Sequence, residues 1–136
     1  AEALDMLEEE GLETCFARHA RLAGAVRAAI AGWGFALVSQ DTREHSNSVS
    51  AFFLPEGQDA DGFRKHCLAK YNLVLAGGLM KLAGRVARIG HLGDLNEAMI
   101  LGTLATTELA LGTAGIPHSA GGVAAAIDFL AGENNG

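Results

Sequence analysis

Cysteine, proline and basic residues are all scarce in this sequence. The two cysteines, Cys15 and Cys67, make no disulfide framework and point to a reducing compartment. The two prolines, Pro55 and Pro117, serve only to mark a turn and a boundary between helices. Lys and Arg number 10 against 16 Asp and Glu, a formal charge of −6. With no basic stripe and no aromatic residues interleaved with basic ones, nucleic acid is not an expected partner. No apolar run is long and charge-free enough to span a bilayer and no signal peptide is visible, so the expected location is cytoplasmic. Also missing are a Gly-x-Gly-x-x-Gly after a strand, a phosphate loop ending in Gly-Lys-Ser/Thr, and a Gly-x-Ser-x-Gly nucleophile elbow. What remains is a 136-residue chain that is 49% hydrophobic and 19% charged. That suits one compact domain with a real core.

Periodicity organises the chain. Leu12, Phe16, His19, Ala23, Val26 and Ile30 recur at spacings of three and four, with Cys15, Leu22 and Ala29 beside them. This predicts a helix over residues 3–32, with a bend or a break at Gly11 and an end at the glycines around Trp33. Strands are expected at 35–38, at 48–54 before the Pro55-Glu56-Gly57 turn, at 73–75, and at 85–89. A helix capped by Asp59 or Asp61 should run to about Tyr71, one capped by Asp94 to about Ala114, and a last one over 121–131. Paired strands separated by helices predict an α+β domain: a small, mainly antiparallel sheet of three to four strands covered by helices. The chain opens at Ala1 inside a helical pattern, so it is expected to be a piece of something longer.

Few residues carry a chemical signal. His19 lies one helical turn after Cys15, a spacing that can hold zinc, but no second ligand pair follows and His19 sits on an apolar stripe. His66 and Cys67 are neighbours on a helix and so point apart. His45 carries no signal, His118 reads as a helix-entry residue, and His91 as a stabiliser of its loop. The lysines are Lys65, Lys70 and Lys81, and none reads as a covalent handle for a carbonyl cofactor. The acidic run Glu8-Glu9-Glu10 reads as a solvated helix face. That leaves Arg88, set among Val86, Ala87 and Ile89 at the end of a strand before a glycine-rich loop. An arginine in such company needs an anionic partner. Two partners fit: Asp94 or Glu97 of the chain itself, in an ordinary salt bridge, or the carboxylate of a small ligand gripped by two parallel hydrogen bonds.

Several segments together resemble a known family. They are Glu9-Glu10-Gly11-Leu12-Glu13 with Arg18-His19, Ser46-Asn47-Ser48-Val49-Ser50-Ala51 leading to Pro55-Glu56-Gly57, Gly77-Gly78-Leu79, and Arg88-Ile89-Gly90-His91-Leu92-Gly93. In order and spacing they resemble the C-terminal small domain of class V, fold-type I aminotransferases of the serine–glyoxylate and alanine–glyoxylate type. The resemblance implies a parent enzyme that uses pyridoxal 5'-phosphate and moves an amino group from a small amino acid to glyoxylate or another 2-oxo acid. It implies that Arg88 holds the substrate carboxylate, and that the Schiff-base lysine and the rest of the cofactor site lie in a large domain. It also implies a homodimeric parent, with neither cofactor nor activity in this piece alone. Met80 and Ala87 depart from the family pattern, which usually has glycine at the first position and a larger residue at the second. A stand-alone amino-acid-binding or structural module is the alternative expectation.

Overall fold

The computed structural model describes residues 2–38, 49–78, 82–90 and 96–135, with side chains described from residue 17 onward except those of His19, Val49 and residues 133–135. Four helices and three strands follow one another as α1 (Glu2–Trp33), β1 (Val49–Phe53), α2 (Ala60–Tyr71), β2 (Ala76–Gly77), β3 (Val86–Gly90), α3 (Glu97–Thr113) and α4 (Gly122–Asn135). The sheet is antiparallel throughout, in the order β1-β3-β2. This is the expected α+β arrangement.

Helix α1 buries Leu22, Ala25, Val26, Ala29, Ile30 and Trp33, a stripe at helical spacing that the sequence pattern anticipates. No break occurs at Gly11: the helix runs through it. It stops after Trp33, where Gly34 takes a left-handed φ of +87° that glycine alone adopts without strain. The rings of Trp33, Phe35 and Phe52 then cluster, with Phe35 and Phe52 stacked at 5.7 Å.

Two predicted strands are corrected. Residues 35–38 form no strand but a single bridge, Leu37 opposite Phe52, on the outer edge of β1. Residues 73–75 are not a strand either. The Leu73 N–H is drawn back to the Cys67 carbonyl as α2 ends on left-handed Asn72, so pairing starts only at Ala76. A third correction concerns α3. Its cap is Asn96, whose side chain accepts from the Met99 N–H at 2.9 Å; Asp94 lies outside the described residues. Asp59 caps α2 as expected, accepting from the Asp61 N–H at 3.0 Å.

Alternation in the register gives the sheet two distinct faces. Phe52 lies opposite Ala87 and Ser50 opposite Ile89, and all four are buried toward the helices. The opposite face carries Ala51, Phe53, Val86, Arg88, Gly90 and Ala76. Phe53 of that face is crossed by the Arg85 guanidinium, 5.4 Å from its ring centroid, within cation–π reach.

The helices are tied to one another by polar contacts that satisfy buried groups. Glu108 of α3 accepts from Trp33 Nε1 at 2.8 Å and from the Val123 N–H in the first turn of α4 at 3.1 Å. Arg21 of α1 pairs with Glu97 of α3 and donates to the Leu130 carbonyl of α4. The fully buried Thr107 returns its hydroxyl proton to the Thr103 carbonyl at 2.7 Å, so no polar atom of its side chain is stranded. No helix is long and apolar enough to cross a membrane among the described residues.

Candidate functional site

Arg88 is the third of the five residues of β3, not its end. On its face of the sheet it is flanked across the strands by Ala51 and Ala76 and along the strand by Val86 and Gly90. Its neighbours on three sides are small, and among the described residues a methyl built on Gly90 meets nothing within 4 Å. The side chain is half-buried. Its Nε donates to the Gly77 carbonyl at 2.7 Å, which holds the guanidinium plane. Neither Nη group has a hydrogen-bonding partner among the described residues. The salt bridge to Glu97, one of the two internal partners read from the sequence, is not formed; Glu97 pairs with Arg21 instead. Asp94, the other internal candidate, falls outside the described residues.

A guanidinium anchored through Nε, with neither Nη group partnered among the described residues, has the donors that a bidentate grip requires. Two parallel N–H donors match the two oxygens of a carboxylate. A lysine in this place would present one mobile point charge instead.

The other sequence candidates are dispersed. His66 Nε2 lies 2.8 Å from Thr113 Oγ1, and Tyr71 donates to the same oxygen at 3.0 Å. His66 is thus engaged between α2 and α3, away from Cys67. The thiol of Cys67 is enclosed, and burial pushes it up from 9.0 to about 11, which keeps it protonated and inert near neutrality. His118 turns its Nδ1 to the Ile116 carbonyl at 2.8 Å, a local contact at the entry to α4. His45, Lys81 and His91 lie outside the described residues, as do the side chains of Cys15 and His19. Among the described residues, no group of three or more His, Cys, Asp or Glu is placed to share a metal ion.

Lys65 and Lys70 are both exposed on α2, the latter with its ammonium over the Tyr71 ring at 5.8 Å. A lysine that forms a Schiff base is normally activated by a desolvated pocket. Neither of these two described lysines stands in such a pocket.

Two contributors escaped the sequence reading. Arg64 reaches from α2 to the Leu75 carbonyl at 2.9 Å and pairs with Asp61 at 2.9 Å. The only sequence signal for it was the Asp61–Arg64 spacing of three on a helix. Glu108, which joins three helices, gave no signal at all, because its partners are 75 and 15 residues away.

No family model matches the chain. Individual relatives do. It is 46% identical over 130 residues to a serine–glyoxylate aminotransferase of Methylorubrum extorquens, covering 95% of this chain and 32% of that protein. It is 48% identical over 118 residues to an L-aspartate–glyoxylate aminotransferase of Paracoccus denitrificans, covering 86% of this chain and 30% of the other. Among solved structures, ureidoglycine–glyoxylate aminotransferase from Bacillus subtilis superposes with a TM-score of 0.81 at 32% identity, over 94% of this chain and 33% of that one. Pyridoxamine–pyruvate aminotransferase from Mesorhizobium loti gives 0.84 at 29% identity, over 96% and 34%. The chain spans about a third of the length of the curated relatives it matches. Nearly all of its residues are covered by these matches, so the chain is homologous to about a third of each of these aminotransferases, and its strands and helices share their small-domain arrangement.

Proposed function

We propose that this chain is the carboxylate-binding small domain of a longer aminotransferase that passes an amino group from a small amino acid to glyoxylate or a similar 2-oxo acid. The observation that carries the reading is the posture of Arg88: anchored by Nε to Gly77, without a partner for either Nη group among the described residues, and set among alanine and glycine. Relatives named for serine, aspartate and glyoxylate support the substrate class. Donor and acceptor in such a reaction share one feature, a carboxylate next to the reacting carbon. One fixed guanidinium therefore serves both halves of the exchange.

Arg88 would do its work by orientation. A carboxylate held at two points cannot swivel, so the bonds on the adjacent carbon face in a set direction. Positioning of this kind lowers a barrier by up to several kcal/mol. Pyridoxal phosphate, the cofactor of this chemistry, would be held by residues outside the described ones.

In the full-length enzyme, Arg88→Ala should raise KM for both the amino acid and the 2-oxo acid on the order of a hundred-fold, the worth of two hydrogen bonds between charged groups. Arg88→Lys should recover only a small part of the loss. The absorbance of the bound cofactor should not change. Normal KM values for both substrates in Arg88→Ala would end the assignment.

A further inference from the structure

Resting on the reading of Arg88 as a carboxylate fork, we propose that Arg64 is a positioning residue: it clamps strand β2 from the core face so that the Gly77 carbonyl holds Arg88 on the other. The starting point is how little else fixes β2. Among the described residues it is two residues long, pairs only with β3 and lies at the edge of the sheet. Two backbone pairings give such a strand little rigidity of its own. Yet its Gly77 carbonyl is the one anchor of Arg88 among the described residues.

Arg64 supplies the missing constraint. Its Nε donates to the Leu75 carbonyl, the residue just before β2, at 2.9 Å. Its Nη1 pairs with Asp61 at 2.9 Å, one turn earlier on α2. The helix is itself tied to the approach to β3, since the Ala60 N–H donates to the Gly84 carbonyl at 2.9 Å. Helix α2 thereby grips the lead-in of both neighbouring strands.

Gly77 completes the device. It lies opposite Ala87 and so faces the core, whereas Ala76, opposite Arg88, faces the other way. A methyl on Gly77 would sit 2.6 Å from Arg64 Nη1 and 3.0 Å from its Cζ. The guanidinium of Arg64 therefore lies against the Gly77 backbone in space that only glycine leaves free. One guanidinium bears on Gly77 from α2 while another takes its carbonyl from β3. A shift of β2 toward or away from α2 would carry the Arg88 anchor with it.

The test is a double-mutant cycle in the full-length enzyme together with a direct reading on the 136-residue chain. Arg64→Met should raise KM for glyoxylate roughly tenfold, about the worth of one hydrogen bond between charged groups, with kcat within about two-fold. In the Arg88→Ala background the same change should add less than about two-fold, because the two residues act through one contact. An equal rise in both backgrounds would reveal general damage and overturn the proposal. So would an unchanged KM in Arg64→Met when Arg88→Ala raises it.

On the chain alone, hydrogen exchange of the Arg88 Nε–H, followed by proton–nitrogen NMR, should speed up in both Arg64→Met and Gly77→Ala. The amides of Phe63 and Cys67 in α2 should stay protected. Unchanged Nε–H exchange in both variants would refute the clamp. If Arg88→Ala itself left KM unchanged, the functional reading would fall, while the exchange measurement would still judge the clamp on its own.

Discussion

Arg27 holds a partly buried charge in an uncomfortable setting. It stands on α1 with its Nη1 enclosed and without a hydrogen-bond partner among the described residues. Burial alone draws its guanidinium below the usual arginine range. Desolvating a charge without a partner costs free energy that an apolar side chain of similar length does not incur. Arg27→Met should therefore raise the urea midpoint of the chain, by about 1 kcal/mol of stability. Arg88 makes the contrast: it too lacks an ionic partner among the described residues, but none of its side-chain nitrogens is both enclosed and unpartnered. A lower midpoint in Arg27→Met would mean that the charge is compensated, and the comparison with Arg88 would lose its force.

Where elements meet, the α1–α4 crossing depends on glycines. A methyl on Gly122 would lie 2.1 Å from Trp33 Nε1, and one on Gly32 would lie 2.6 Å from the Gly121 carbonyl. Trp33 has nowhere to go, being 1% exposed and bonded to Glu108. Gly122→Ala should thus destabilise by about 2–3 kcal/mol, the usual range for overpacking. Trp33 is the only tryptophan, so its fluorescence reports the displacement directly. Gly132→Ala on the same helix meets nothing within 4 Å and should stabilise by up to about 1 kcal/mol through helix propensity. Equal losses in the two variants would show that helix propensity, not close approach, sets the cost.

The elements also show how far local pattern reaches. The helices were legible because their stripes and caps are written within a few residues of one another: Phe63 and Cys67 on α2, Asp59 before it, Leu22 to Trp33 on α1. The strands were less so. Leu73-Val74-Leu75 looks more strand-like than Ala76-Gly77, but β2 is set by where β3 and Arg64 meet the backbone, and neither lies nearby in sequence. The cap of α3 was misplaced for a similar reason: Asp94 and Asn96 are equally good capping types, and only the fold selects between them. Gly77, which enters the sequence reading only within the segment Gly77-Gly78-Leu79, is approached by the guanidinium of Arg64. Arg88 itself was found from its apolar neighbours. Its freedom from Glu97 depends on Arg21, 67 positions away, and could not be read from the segment.

At the scale of the whole molecule, the domain proposed to hold the substrate's carboxylate is set against relatives of greater length. Its described lysines, Lys65 and Lys70, stand in solvent on α2, and its relatives are about three times as long. A lysine in water has no special claim on an aldehyde, so it reacts in proportion to concentration and not by occupying a site. Incubating the chain with pyridoxal phosphate, trapping with borohydride and locating the label by mass should show slow modification of Lys65 and Lys70 that rises linearly with reagent. The full-length enzyme under the same conditions should show one lysine, outside these 136 residues, that saturates at low reagent and is protected by the resident cofactor. Saturable labelling of a single lysine within the chain would place the cofactor's anchor here and overturn the division of labour proposed between this domain and the rest of the enzyme. The linear outcome would leave this domain the role its geometry supports, presenting the substrate's acid group to chemistry performed elsewhere.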